Sequence, residues 1–200
     1  MENERIVDVF FYPEDIAKVV LHKSGSVFIV PNSEKEIVKV HNTRHELVMD
    51  LVEAREQSLV GFNWRHEREA LVALANKRKI PYAVIDGSVT KIADREEAVR
   101  AFQAGEIRVI FAHPQSAGHG LTLTKATATI WASPTYNAEH FTQFNRRIHR
   151  KGQTKKTETI CICAKGTKEE DVYAALNEKV HRMEDLLNLF TNITQADHAA

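Results

Sequence analysis

Between Gln143 and Gln153 the chain reads QFNRRIHRKGQ, where Arg146, Arg147, Arg150 and Lys151 stand beside Phe144 and Ile148 with no acid among them. The formal net charge of the whole chain is zero, so this local excess of cations asks for a reason. One reading is a solvated basic surface, the usual fate of an Arg-rich helix. The other is a set of guanidinium groups aimed at phosphate, because guanidinium binds several phosphate oxygens in fixed geometry. The interleaved apolar residues favour the second, since they keep the arginines close to packed structure. A second unusual segment is HPQSAGHGLTLT, in which Gly118 and Gly120 flank His119, and Ser116, Thr122 and Thr124 lie close by. Glycines let backbone N–H groups approach a bound anion, and hydroxyls add donors. The same spelling also fits a tight loop that merely needs positive φ.

Other candidate chemistries are weaker. HEREA, starting at His66, begins like a zinc-protease helix but has Ala70 where the second histidine is required. His113, His119, His140 and His149 follow no metal-ligand spacing, and no metal site is expected. Cys161 and Cys163 lie two apart in TETICICAKG, which suits neither a disulfide framework nor a zinc knuckle. They are expected to be buried, reduced thiols in an intracellular protein. There is no phosphate loop of the form G-x-x-x-x-G-K-[ST], and nowhere does Asp directly precede Glu.

The elements that must position these residues follow from periodicity. SLVGFN, PYAVID, IRVIFAH, ATATIWAS and TETICICA read as short strands. Amphipathic segments alternate with them: WRHEREALVALANKR, IADREEAVRAFQAG, a helix over 137–149 and another over 168–190. Strand and helix at this rhythm imply an α/β fold with a parallel sheet covered on both faces. Ligands of such open sheets bind at the carboxyl edge of the strands. A continuous helix through the basic segment would put Gln143, Arg146, Arg147 and Arg150 within about 100° of one face. We expect three parts: an appendage over 1–42, in which two strands surround a Ser-Gly turn; a domain over 43–190; and a flexible tail over 191–200. Two hundred residues, 43% hydrophobic and 27% charged, are ordinary for a globular protein. No run approaches the roughly 18 apolar residues of a membrane span, and the start is neither a signal peptide nor a transit sequence.

SAGHGLTL, followed some twenty residues later by QFNRRIHRKGQ, resembles the last two motifs of superfamily-two helicases. The ending His149-Arg150-Lys151-Gly152-Gln153 looks like the Swi/Snf-type DNA translocases rather than the RNA helicases. LVGFNWRHEREAL, VIDGSVTKIADREEAVRAF, YNAEHFTQ and GTKEEDVYAALNEKV are similar to neighbouring segments of that family in the family's order. The G-H-G spelling looks most like compact bacterial and phage-encoded members. Tyr136, Ala138 and Arg146 depart from the pattern, which usually has Trp, Pro and an acidic or small residue.

The resemblance implies the second RecA-like lobe of an ATP-dependent DNA translocase. Arg147 and Arg150 would then reach across a cleft to the γ-phosphate, with Gln143 orienting their helix. Gly118, His119 and Gly120 would contact nucleotide. Gly87, Ser88, Thr122 and Asn137 would contact DNA without reading its sequence. The resemblance also implies ATP and Mg2+, the magnesium held mainly by a first lobe that brings the phosphate loop. That lobe is expected on another chain of a split gene, or on a missing segment. The chain alone is expected to be inactive, and to reside in the cytoplasm of a bacterial or phage-infected cell with no membrane partner. The rival is a non-catalytic DNA- or protein-binding module that keeps the fold.

Overall fold

The computed structural model describes residues 43–88, 91–118 and 121–197. The expected appendage over 1–42 lies outside them, as do His119 and Gly120. In chain order the elements are α1 (Thr43–Glu53), β1 (Ser58–Gly61), α2 (Arg65–Arg78), β2 (Tyr82–Ile85), α3 (Ile92–Ala104) and β3 (Val109–Ala112). A 3-10 turn (Ser116–Gly118), β4 (Ala128–Trp131), α4 (Ala138–Asn145), β5 (Glu158–Cys161) and α5 (Lys168–Asp197) complete them. The closing helix, expected to stop at Phe190, runs on to Asp197.

The five strands form one sheet in the order β2-β3-β1-β4-β5, and every pairing is parallel. Register explains why central strands read as unbroken apolar runs: both faces are covered. Val60 pairs with Phe111 and Ile130, and all three join the cluster packed against Val48, Met49 and Leu71 of α1 and α2. One residue earlier, Leu59 pairs with Ile110 on the opposite face. That face packs with Phe102 of α3, Trp131, and Phe144 of α4. Gly61 ends β1 where a side chain does not fit freely: a Cβ there would lie 3.1 Å from Phe144 and 3.2 Å from Trp131.

Helix ends are chemically marked. Gly105 takes φ +82° after α3; its N–H bonds the Phe102 carbonyl while Glu106 N–H bonds that of Ala101. Lys79 closes α2 in the same way at φ 55°, a conformation that disfavours a Cβ. Beneath the sheet's carboxyl edge, the buried Glu67 accepts from the N–H groups of Asn63 (2.9 Å) and Trp64 (3.1 Å), starting α2.

The thiols correct the sequence reading. Cys161 and Cys163 are free, but both are exposed rather than buried. β5 lies at the edge of the sheet and Cys163 lies beyond its end, whereas the alternation in TETICICA is also what a covered strand would show. The Cys161 thiol is nevertheless pushed up to about 11, by local desolvation first and then by the neighbouring Cys163 sulfur.

Candidate functional site

The basic segment leaves the helix before its key residues. α4 opens at Asn137, whose Oδ1 accepts from His140 N–H at 2.9 Å, and Arg146 is already its C-cap. Arg147 and Arg150 therefore lie in the turn beyond, and the expectation of one helical face carrying four residues does not hold. The physical reason lies in the carbonyls. That of Arg147 accepts from Leu123 N–H at 2.9 Å, and that of Ile148 accepts from Gln153 Nε2 at 3.0 Å. Donors from outside the helix take the place of its next turn.

Gln153 fastens this turn. Its Nε2 also donates to the Ala126 carbonyl at 3.0 Å, and its Oε1 accepts from Lys155 N–H at 2.9 Å. Gly152, at φ +99°, gives the reversal that lets the side chain reach back. Leu123 and Ala126 precede β4, and Thr127 N–H bonds the Gln57 carbonyl just ahead of β1. The arginine turn is thus tied to the amino-end side of the sheet, away from the carboxyl edge at which the sequence reading placed ligands.

Arg147 is buried, and its guanidinium is held below its ordinary pKa, first by burial and second by the charge of Arg150. Arg150 is exposed, and its Nη1 donates to Thr122 Oγ1 at 3.3 Å. Two cations close enough to oppose each other's charge are a favourable place for an anion. Thr122 belongs with the arginines in space, not with the other residues expected to face DNA. Gln143 donates from Nε2 to Glu139 Oε1 at 2.8 Å, one turn back along α4.

The remaining candidates gather at the carboxyl edge. Gly87 and Ser88 follow β2 and are exposed. Ser88 donates through N–H (2.8 Å) and Oγ (2.5 Å) to Asp86 Oδ1, while Arg68 donates to Asp86 Oδ2 at 2.8 Å. Desolvation works to raise the Asp86 pKa, but these bonds outweigh it and hold the carboxyl below its usual range. Asn137 is exposed after β4, next to Tyr136, which is also exposed. The Asn63 carboxamide donates to Ser133 O (3.2 Å), Ser133 Oγ (3.1 Å) and Pro134 O (3.1 Å), pinning the loop that carries Asn137. Gly118 ends the 3-10 turn after β3 on this same edge. Burial lowers the pKa of the nearby His113, followed by the influence of His140. Sequence reasoning assigned no role to Asn63, Glu67, Asp86 or Gln153. Each of the four lies inside a segment that carries the family resemblance, Gln153 as the last letter of its motif.

Among the described residues no group of three or more His, Cys, Asp and Glu could hold a metal ion. No helix among the described residues is long and apolar enough to cross a membrane.

A parallel five-stranded sheet with helices and this arginine turn define a RecA-like α/β lobe. The chain belongs to the helicase conserved C-terminal domain family, whose pattern matches residues 38–152 and so includes both arginines. The relatives it matches include SWI/SNF-type proteins. It is 31% identical over 137 residues to the "SWI/SNF-related matrix-associated actin-dependent regulator of chromatin subfamily A-like protein 1" of Xenopus tropicalis, covering 68% of this chain and 14% of that protein. It is 30% identical over 129 residues to the "DNA excision repair protein ERCC-6-like" of Homo sapiens, covering 64% of this chain and 10% of the other. The chain therefore spans only about a tenth to a seventh of these relatives' lengths. Among solved structures, the C-terminal part of the Fun30 ATPase domain matches with TM-score 0.61 and 21% identity, over 66% of this chain and 45% of that one. That likeness concerns the fold alone.

Proposed function

We propose that this lobe contributes Arg147 and Arg150 as arginine fingers to ATP hydrolysis that drives movement along DNA, completed by a phosphate-loop lobe on another chain or segment. The observation that carries the reading is the paired-guanidinium turn: one desolvated arginine and one exposed, within a family-matched segment fastened by Gln153. Phosphoryl transfer to water needs little covalent help from protein; positioning and neutralisation of charge on the transferred group supply most of the catalysis. A buried guanidinium keeps its fork fixed and suffers less screening by water, while the exposed one remains able to meet a phosphate presented from outside. Gln143 helps set α4, and nucleotide contacts from Gly118, His119 and Gly120 belong to the same reading. Gly87, Ser88 and Asn137 contact the DNA backbone. Thr122 acts through Arg150.

The relatives named for chromatin and DNA repair support DNA as the track. The G-H-G spelling at residues 118–120 supports a compact bacterial or phage-like member acting in the cytoplasm, although the relatives named above are from animals. The test is reconstitution. The chain alone should show negligible ATPase activity; mixing or fusing it with a cognate first lobe should restore hydrolysis stimulated by DNA. Robust turnover by the highly purified single chain, lost on changing Arg150, would overturn the two-lobe requirement. Restored hydrolysis indifferent to both arginines would instead favour the non-catalytic module.

A further inference from the structure

Beyond Arg150 the same turn opens into a cleft of about 560 Å3 lined by His149, Arg150, Lys151, Gln153, Lys155, Lys156 and Thr157. Thr157 directly precedes β5, so the cleft lies on the amino-end side of the sheet, across from Gly87, Ser88 and Asn137. Four of its lining residues are arginine or lysine, and none is acidic. Lys155 is bonded to Glu56 at 2.6 Å. Among the described residues no carboxylate pairs with Lys151 or Lys156. The loop is a built one: Gly152 takes a left-handed conformation and the Gln153 side chain makes three hydrogen bonds, so the backbone that carries these cations is held in place. No Phe, Tyr or Trp lines the cleft, which leaves no surface for stacking a base or an adenine.

We propose that this cleft is a second contact for the sugar-phosphate backbone of DNA, made chiefly by Lys151 and Lys156, with Lys155 beside them. It rests on the reading of the chain as a DNA-binding lobe and adds a surface on the side of the sheet that faces away from the expected track. A run of ammonium groups on a held loop, without aromatic neighbours, suits a linear polyanion and is blind to sequence. Each lysine that neutralises a phosphate releases condensed counterion, so its contribution is read directly in salt dependence.

The experiment titrates the full chain, without nucleotide or partner lobe, against a fluorescent duplex of two unrelated sequences between about 50 and 200 mM salt. The Lys151→Ser/Lys156→Ser variant spares Lys155, so Glu56 keeps its partner, and spares both arginines. It should bind both duplexes about tenfold more weakly at low salt, and its log–log salt slope should be shallower by about 1.8. Its melting temperature should match the parent's, which separates lost binding from lost fold. An unchanged slope and affinity would overturn the proposal, as would a parent chain that binds no duplex. So would inorganic triphosphate binding that the variant loses while its DNA binding persists, because the ligand would then be a free polyphosphate. ATPase reconstitution is read separately, so failure of the catalytic reading leaves the cleft standing, and the reverse also holds.

Discussion

At the scale of single residues, three arginines within five positions have three different surroundings. Arg147 is buried and desolvated, Arg150 is exposed beside Thr122, and Arg146 is an exposed helix cap. An arginine finger is worth on the order of 10³–10⁵ in turnover, because it meets charge that develops in the transition state. Lysine cannot reproduce the planar fork. In the reassembled enzyme Arg147→Lys and Arg150→Lys should therefore nearly abolish hydrolysis, while Arg146→Ala costs only a few-fold. Steady-state ATPase rates at saturating DNA decide it: an Arg146→Ala defect equal to the other two would mean the turn has been misassigned. The identity and order of these residues were legible in QFNRRIHRKGQ. Their departure from the helix was not, because the groups that take up the Arg147 and Ile148 carbonyls are a backbone N–H at 123 and a side chain at 153. Periodicity is a local signal and carries no word of donors arriving from elsewhere.

At the scale of elements, all five strands and the helices between them were legible, because covered strands write apolar runs and helices write a 3.6-residue stripe. What the pattern omits is which neighbour each strand meets. Gly61 shows the consequence. Phe144 from α4 and Trp131 from β4 both come within 3.2 Å of where its Cβ would be, so Gly61→Ala must push two buried rings aside. Overpacking of this kind costs about 1–3 kcal/mol, and urea unfolding should show it as a lower midpoint at unchanged slope. Lys79 presents the opposite case. Its backbone is left-handed at φ 55° for the sake of the α2 cap, where glycine carries no Cβ penalty. Lys79→Gly should raise stability by up to about 1 kcal/mol in the same titration; a loss of stability would mean the lysine side chain makes a contact that outweighs backbone strain. The cysteines mark the limit of pattern reading: alternation in TETICICA places a strand but does not tell an edge strand from a covered one.

At the scale of the whole molecule, the first and last described helices are joined through a buried ion pair at the carboxyl edge. Arg44 of α1 is 1% exposed; its Nη1 donates to the Ala132 carbonyl at 2.9 Å, and its Nη2 lies 2.7 and 2.8 Å from the two carboxylate oxygens of Glu169 on α5. Glu169 also accepts from Ala164 N–H at 2.7 Å. One cluster therefore holds α1, the end of β4 and the start of α5, and through β4 it supports the loop bearing Asn137. TRHELVMDLVEA shows an amphipathic helix but gives no sign that its arginine points inward, since the partner lies 125 positions away. Removing one partner of a buried pair leaves the other charge desolvated and uncompensated, which costs about 3–5 kcal/mol. Glu169 is 22% exposed on its side chain, so water can partly replace it, and the lower end of that range applies. We expect Glu169→Ala to cost about 3 kcal/mol in urea unfolding. Arg44→Met, which keeps most of the packed volume, should cost less. In the double variant the penalty should fall below the sum of the singles by more than about 1 kcal/mol, because the orphaned guanidinium is gone. If the two single effects instead add to within about 0.5 kcal/mol, the helices are held by packing alone, and the ion pair is incidental to how this lobe keeps its edge in place.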